Sequence, residues 1–116
     1  MSNQFLTYEK LDVYQCAIQF LAIGSQIIDG LPKGNSILMD QLKRASLSIV
    51  LNIAEASGKT SKLDNARFFA IARGSAMECG AVLDACRILG LTNDKLIEDG
   101  KHLVVRIVSM LSKLCR

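Results

Sequence analysis

Two glutamates stand in otherwise apolar stretches of this chain and are the first candidates for chemistry. Glu55 and Glu78 could form a carboxylate pair for acid–base or metal work, because neighbouring carboxylates can share a proton or hold a cation. Iron-carboxylate bundles use Glu-x-x-His pairs, and none occurs here, where His102 is the one histidine. Since the sequence also shows no Ser-His-Asp set and no glycine-rich phosphate loop, we expect a protein that is not an enzyme and uses no metal or cofactor.

The alternative role for these glutamates is structural. A carboxylate or amide buried between helices needs hydrogen-bond partners, and arginine and serine side chains recur nearby. We predict an interhelix polar network whose members are Asn52, Glu55, Arg73, Ser75 and Glu78. Removing one partner of a buried charged pair should cost about 3–5 kcal/mol.

Basic residues gather at the junction of two predicted helices. Lys59, Lys62 and Arg67 surround the junction, and Lys43 and Arg44 lie farther back along the first of the two helices. Repeated around a ring of subunits, a few cations per chain would make a positive surface that binds phosphate with a steep salt dependence. We therefore predict that these five residues bind nucleic acid. The alternative is a solvated helix face with balancing acids.

Aromatic residues do not favour base recognition at this junction. Phe68 and Phe69 follow Arg67 directly, and both are predicted to lie in the core. Because base stacking needs an exposed ring, the sequence predicts phosphate contact without stacking.

One long helix over residues 41–59 should position most of these groups. An apolar line at helical spacing comprises Leu38, Leu42, Ala45, Ile49, Ile53 and Ala56. A second line, polar and on another face, comprises Gln41, Arg44, Ser48, Asn52 and Glu55. Leu47, Val50 and Leu51 fill most of the rest, which predicts a helix buried around most of its circumference and ended by a left-handed Gly58.

Three further helices are predicted around this one. The first runs from about Leu11 to Asp29 and is stopped by the glycines and proline of residues 30–34. The third runs from about Lys62 to Leu89, and a fourth continues to the C-terminus. Short connections, no alternating strand pattern and no repeat predict an all-α fold, an antiparallel up-down-up-down four-helix bundle.

Capping residues mark the starts of these helices. Asn35 or Ser36 can cap the second helix, and Thr92 or Asn93 the fourth. Ser61, with an aspartate three residues later, forms a capping-box-like start for the third.

Length and composition limit the classes of protein. With 116 residues, 50% hydrophobic and 22% charged, one globular domain over residues 1–116 is expected. A net charge of +3 and a pI near 8.8 are only mildly basic. The mean hydropathy of +0.27 is high, yet the longest uncharged run, Val13–Ile28, is interrupted by polar residues and is short for a membrane span. We therefore expect no membrane partner and a homo-oligomer that covers the excess apolar surface.

The cysteines point to a reducing compartment. Cys16, Cys79, Cys86 and Cys115 occur in a chain whose opening, MSNQFLTYEK, lacks a basic start followed by an apolar stretch. We expect reduced thiols that serve as small buried side chains in a cytoplasmic protein.

Two segments of the chain carry a recognisable set of residues: Arg44-Ala45, Ser48, Asn52-Ile53-Ala54-Glu55, Lys59, Arg67-Phe68, Ala72-Arg73-Gly74-Ser75 and Glu78. In these positions the chain resembles the four-helix-bundle family of the 23S rRNA intervening sequence proteins, also called S23-like. Val50 stands where many members have proline, which predicts a second helix without a proline kink. Lys59 replaces the usual arginine, which removes a bidentate phosphate contact.

The resemblance implies antiparallel four-helix subunits assembled into a ring, commonly a pentamer. One branch of the family resembles the accessory proteins of diversity-generating retroelements, which bind nucleic acid and a reverse transcriptase through a basic surface. We therefore expect a non-enzymatic bacterial scaffold that binds RNA or a reverse-transcriptase-like nucleoprotein. The alternative is a structural protein-interaction module without nucleic-acid affinity, which the modest net charge and the apolar excess favour.

Overall fold

The chain folds into a bundle of four helices. The computed structural model describes residues 6–116, and residues 1–5 of the predicted domain lie outside the described part. After a short 3₁₀ helix at Thr7–Lys10, the described residues form α1 (Asp12–Gly30), α2 (Ser36–Ser57), α3 (Lys62–Ile88) and α4 (Asp94–Leu114). The predicted all-α four-helix fold is confirmed, with helix ends close to those expected from the sequence.

Contacts between neighbouring helices run in opposite chain directions. Asn65, early in α3, bonds to Ala56 near the end of α2, whereas Ser75, later in α3, bonds to Ser48, earlier in α2. Contacts between α3 and α4 show the same reversal. Gly24 lies against Ser46 and Asp29 lines a cleft with Lys43, so α1 and α2 are also antiparallel. Phe20 lies near Gly100 and Val13 lines a cleft with Met110, so α1 and α4 are antiparallel as well. Only sequential neighbours and the α1–α4 pair pack against each other among the four helices, so the bundle runs up-down-up-down.

All four helices contribute to one apolar interior. The largest fully buried apolar side chains include Phe20, Ile27, Leu42, Ile49, Ile53, Leu83, Ile97, Ile107 and Leu111. Burying a side chain of this size contributes about 1.5–3 kcal/mol. The predicted apolar line of α2 forms its buried face from Leu42 to Ala56, so the helical period correctly identifies the side that faces the core.

The outer face of α2 is exposed. Leu47 is 44% exposed and Leu51 is 56% exposed. The prediction that α2 is buried around most of its circumference is therefore wrong for a single copy of the chain. Each helix of a four-helix bundle keeps one side in contact with solvent. Leu47 and Leu51 lie on that side of α2, so their apolar character does not bury it within one chain.

Gly58 ends α2 without the predicted left-handed conformation. Its φ is −88°, in the right-handed helical region, and its N–H donates to the Glu55 carbonyl at 3.2 Å. A bond over three residues tightens the last turn and satisfies a carbonyl that the helix end would leave unpaired. The left-handed glycines are Gly34, with φ +93°, and Gly90, with φ +65°, in the turns after α1 and α3.

Two of the three predicted helix caps are present. Ser61 Oγ accepts the backbone N–H of Asp64 at 3.1 Å, and Asn93 Oδ1 accepts a backbone N–H of the first turn of α4 at 2.9 Å. Asn35 instead donates its amide to the Pro32 carbonyl at 2.9 Å. Its side chain therefore orders the preceding turn, and α2 begins without a side-chain cap.

No helix in the described part of the chain combines the length and the apolarity needed to cross a membrane.

Gly100 brings the backbone of α4 close to buried side chains of α1 and α3. A Cβ at this position would lie 2.9 Å from Leu83 Cδ1 and 3.5 Å from Phe20 Cε1, and both of these side chains are fully buried. Gly74, on the exposed side of α3, would place its Cβ in open space. The missing side chain at Gly100 therefore leaves space that Leu83 and Phe20 fill, whereas the space beside Gly74 is open.

We predict opposite consequences for alanine at these two positions. Gly74→Ala should raise the free energy of unfolding by about 1 kcal/mol, because alanine is the better helix former. In Gly100→Ala the same gain is offset by overpacking, which costs roughly 1–3 kcal/mol. Urea denaturation of the two variants beside the wild type measures the difference. An equal gain at both positions would show that the contact at Gly100 is not tight.

Candidate nucleic-acid interface and polar seam

Hydrogen bonds hold the connection between α2 and α3 at both of its ends. Asn65 Nδ2 donates to the Ala56 carbonyl at 2.9 Å, and the Ser61 cap fixes the first turn of α3. The Ser61 bond satisfies a backbone N–H that the start of α3 leaves unpaired, and the Ala56 carbonyl accepts the Asn65 bond in addition to one from the Lys59 N–H. The last turn of α2 and the first turns of α3 are therefore fixed relative to each other. We call residues 55–68 the α2–α3 corner.

Three of the five predicted cations lie at this corner, and two of them contact one aromatic ring. Lys59 Nζ is 5.0 Å and Arg67 Cζ is 4.6 Å from the centroid of the Phe68 ring, within the range of cation–π attraction. Lys62, in the first turn of α3, is exposed. The corner thus combines cations with an aromatic side chain.

Phe68 differs from its neighbour Phe69. Phe69 is 4% exposed and belongs to the core, as predicted, whereas Phe68 is half-buried and packs on the edge of the core. The prediction that both rings are core is wrong for Phe68. Successive residues on a helix point about 100° apart, so one ring points inward and the other toward the corner. The Arg67-Phe68 pair is the feature of the sequence that could have predicted a ring beside the corner cations, because it places Phe68 directly after a cation.

Two carboxylates balance part of the charge at the corner. Lys59 Nζ lies 3.2 Å from Glu55 Oε2, and Arg67 Nε lies 3.7 Å from Asp64 Oδ1. These pairs leave one net positive charge at the corner of each chain. Both are substantially exposed to solvent, where an ion pair contributes about 0.2–1 kcal/mol, so either cation can exchange its carboxylate for another anion at little cost.

Lys43 and Arg44 do not join the corner. Arg44 donates to Glu78 of α3 and to Gln41 Oε1, the latter at 2.8 Å. Lys43 points toward α1, where it lines a cleft together with Asp29. Adjacent helical residues diverge by about 100°, and both lie roughly 17 Å before the start of the corner along α2. The five predicted residues therefore do not form one surface, because Lys43 and Arg44 serve contacts to different helices.

A line of polar side chains joins α2 to α3, and we call it the polar seam: Gln41, Arg44, Ser48, Asn52, Ser75 and Glu78. At its centre the hydroxyls of Ser48 and Ser75 are 2.8 Å apart. Asn52 Nδ2 donates to the Ser48 carbonyl at 2.9 Å and to the Ser48 hydroxyl at 3.0 Å. Ser75 is only 9% exposed, so the bond to Ser48 gives its shielded hydroxyl the partner that a buried polar group needs.

Two members of the predicted network lie outside the seam. Arg73 Nε donates to Ser112 Oγ at 2.7 Å and so links α3 to α4. Glu55 is 55% exposed and pairs with Lys59 at the end of its own helix. Arg73 precedes Ser75 by two residues, which turns it about 200° around α3 and away from α2. Ser75 and Glu78 thus make the predicted interhelix bonds, Asn52 bonds to Ser48 of its own helix, and Arg73 and Glu55 have other partners.

Glu55 and Glu78 do not form a carboxylate pair. Glu78 meets Arg44, which lies about three turns of α2, roughly 16 Å, before Glu55. Within residues 6–116, no group of three or more histidine, cysteine, aspartate or glutamate side chains is placed to hold a metal ion. The geometry therefore does not support acid–base or metal chemistry that uses these two glutamates together.

All of the cysteines are free thiols, as expected. Burial, together with the neighbouring Glu78 carboxylate and against the opposing effect of Arg44, raises the pKa of Cys79 to about 12. Burial also raises the pKa of Cys86. Because the thiolate is the reactive form, these two thiols behave at neutral pH as small apolar side chains.

We predict that the seam contributes to stability and that Glu55 does not. Ser75→Ala removes the hydroxyl that bonds Ser48 in a shielded position and should lower the free energy of unfolding by about 1 kcal/mol. Glu55→Ala removes only an exposed pair within one helix and should cost at most about 0.5 kcal/mol. Thermal unfolding followed by circular dichroism compares the two. A larger loss of stability in Glu55→Ala than in Ser75→Ala would show that Glu55 does contribute to an interhelix network.

The fold and the corner together define an all-helical four-helix-bundle protein with an interhelix polar seam and a small basic corner. A sequence model described as 23S rRNA-intervening sequence protein matches residues 9–113, and the chain belongs to this family. The family resemblance carried by the Asn-Ile-Ala-Glu and Ala-Arg-Gly-Ser segments is thereby confirmed.

A solved structure supports the same fold. The chain is similar to a protein of unknown function from the S23 ribosomal protein family of Bacteroides thetaiotaomicron VPI-5482. The two share 20% sequence identity with a TM-score of 0.82, over 90% of this chain and 98% of that one. At this identity the likeness shows the fold alone. No curated protein matches this sequence.

Proposed function

We propose that the protein is a non-enzymatic scaffold that binds RNA, or a nucleoprotein that presents RNA, through the α2–α3 corner. The observation that carries the proposal is that Lys59 and Arg67 both contact the Phe68 ring, with Lys62 exposed in the first turn of α3 at the same end of the bundle. A ligand that meets these groups can combine charge attraction with contact to an aromatic surface.

Exchange of carboxylate for phosphate supports RNA as the ligand. The carboxylates of Glu55 and Asp64 hold Lys59 and Arg67 only through exposed pairs. A phosphate offers more charge and more acceptor oxygens than one carboxylate, and an arginine can bind it with two parallel hydrogen bonds. RNA supplies such phosphates at regular spacing, so one strand can contact more than one cation of the corner.

We further propose that copies of the chain form a ring, for which the family resemblance favours a pentamer. Five large apolar side chains on α2, α3 and α4 are between 42% and 63% exposed: Leu47, Leu51, Ile71, Met77 and Val105. Exposed apolar patches favour association with another protein surface. A ring would repeat the corner, so that one net charge per chain becomes a multivalent surface. Four free cysteines, three of them buried, fit a cytoplasmic location.

A protein-interaction module without nucleic-acid affinity is the second candidate. The same exposed apolar side chains favour it, as does the partial neutralisation of the corner by carboxylates. The two candidates differ in whether the cations of the corner matter for binding, which substitution can decide.

We predict that RNA binding depends on these three cations in particular. A variant with Lys59→Gln, Lys62→Gln and Arg67→Gln should lose measurable RNA binding in moderate salt. Any residual binding should show a salt slope reduced by about two to three, because each cation releases counterions when it contacts a phosphate. Fluorescence anisotropy with a labelled RNA over a range of salt concentrations measures both effects.

A matched control separates the corner from general charge. Lys33→Gln, Arg87→Gln and Arg106→Gln remove the same charge from exposed positions outside the corner, two of them near the opposite end of the bundle. This control should bind RNA almost as well as the wild type. Unchanged affinity in the corner variant would contradict the proposal and favour the interaction module. Equal losses in both variants would show charge attraction without a defined site.

A further inference from the structure

We propose that the α2–α3 corner selects unpaired RNA by stacking a base on the layer formed by the Arg67 guanidinium and the Phe68 ring. This inference rests on the proposed function, because it names the class of RNA segment that the same corner takes. It adds a role for an aromatic ring that the sequence pattern assigns to the core.

The Phe68 ring is held in place before any ligand binds. It is half-buried and packs against the apolar core. The bond from Asn65 to Ala56 fixes the turn of α3 just before it. A surface whose orientation is set in the free protein loses little side-chain freedom when a ligand stacks on it. The corner therefore meets the first requirement of a stacking site, which is a fixed flat surface.

Arg67 extends this surface toward the solvent. Its Cζ is 4.6 Å from the ring centroid, a separation typical of a guanidinium that lies on an aromatic face, and its side chain is 59% exposed. The contact with Asp64 is made through Nε, at the inner edge of the guanidinium. Because most of the Arg67 side chain is exposed, a base can approach its guanidinium, and unpaired bases stack on arginine planes as well as on aromatic rings.

Groups beside this layer match the rest of a nucleotide. Lys59 Nζ lies 5.0 Å from the same ring centroid and can contact a phosphate beside the stacked base. Lys62, exposed five residues before Arg67, can contact a phosphate farther along the strand. Leu63, one turn before Arg67, is 81% exposed, and a ribose or a second base would cover it. Charge, ring and apolar contact therefore occur together over residues 59–68.

A duplex could not use this arrangement. In double-stranded RNA the bases are stacked on each other, and proteins recognise it by shape and by backbone contacts spread over many base pairs. The corner offers three cations and one ring over a short span, which gives a duplex few phosphate contacts and leaves the stacking layer unused. The corner is therefore suited to a loop, a bulge or a free strand.

The test compares one RNA strand in two states. A labelled strand of about 12 nucleotides, without self-complementarity, is titrated with the protein alone and after annealing to its complement. The wild type should bind the single strand at least about 10-fold more tightly, since one stacked base contributes a factor of this order. A 2-aminopurine placed in the strand should lose fluorescence on binding, which reports stacking directly.

Three variants connect this preference to the stacking layer. Phe68→Leu should lower affinity for the single strand about 10-fold and leave duplex binding unchanged, whereas Phe68→Tyr should keep the preference. Arg67→Lys keeps the charge and removes the guanidinium plane, so it too should lose the preference. Arg67 is exposed, so this variant tests the inference even if Phe68→Leu does not fold.

Each contrary result has a distinct meaning. If the wild type binds the duplex as tightly as the single strand, the inference is overturned while RNA binding stands. If folded Phe68→Leu and Arg67→Lys both keep the preference, the stacking layer is overturned as its source. If no RNA binds in either state, the proposed function and the inference fail together.

Discussion

The antiparallel contact between α2 and α3 sets the geometry of both the bundle and its corner. At the centre of this contact the Ser48 and Ser75 hydroxyls meet, and Arg44 pairs with Glu78 one turn away. A shift of one helical turn, about 5.4 Å, would break both interactions at once and leave a shielded hydroxyl without a partner. Apolar stripes alone tolerate such a shift better, because hydrophobic attraction is not directional. The polar seam therefore selects one register.

That register also decides which groups reach the corner. With the seam in place, Asn65 meets the last turn of α2, and Lys59 comes to lie beside the Phe68 ring. Lys59 follows α2 and Phe68 belongs to α3, so their proximity depends on how the two helices are aligned. The proposed binding surface is therefore only as precise as the packing behind it. The interhelix hydrogen bonds and the grouping of charged and aromatic side chains at the corner thus both follow from the packing of α2 against α3.

The periodicity of the sequence predicts which side of each helix faces the core, and it does so correctly for the line from Leu42 to Ala56. It does not predict which neighbour a polar residue meets. Lys43 and Arg44 are adjacent in sequence yet serve α1 and α3, and Arg73 and Ser75 serve α4 and α2. Each residue along a helix is rotated by about 100° from the one before it, so residues close in sequence contact different helices. Only the packed bundle shows which neighbouring helix lies on which side. The same rotation explains why Phe69 lies in the core while Phe68 packs at its edge. It also explains why Leu47 and Leu51 belong to a largely apolar helix and yet lie on its exposed outer face.

The mass of the particle in solution, with and without RNA, tests the central claim most directly. Light scattering of the purified protein is run alone, with a short RNA hairpin that carries an unpaired loop, and again at high salt. The account predicts a mass several times the 12.7 kDa of one chain, which grows when RNA is added and returns to its first value as salt screens the phosphate contacts. A particle of 12.7 kDa, or an assembly whose mass ignores RNA, would contradict the account of an oligomeric RNA-binding scaffold.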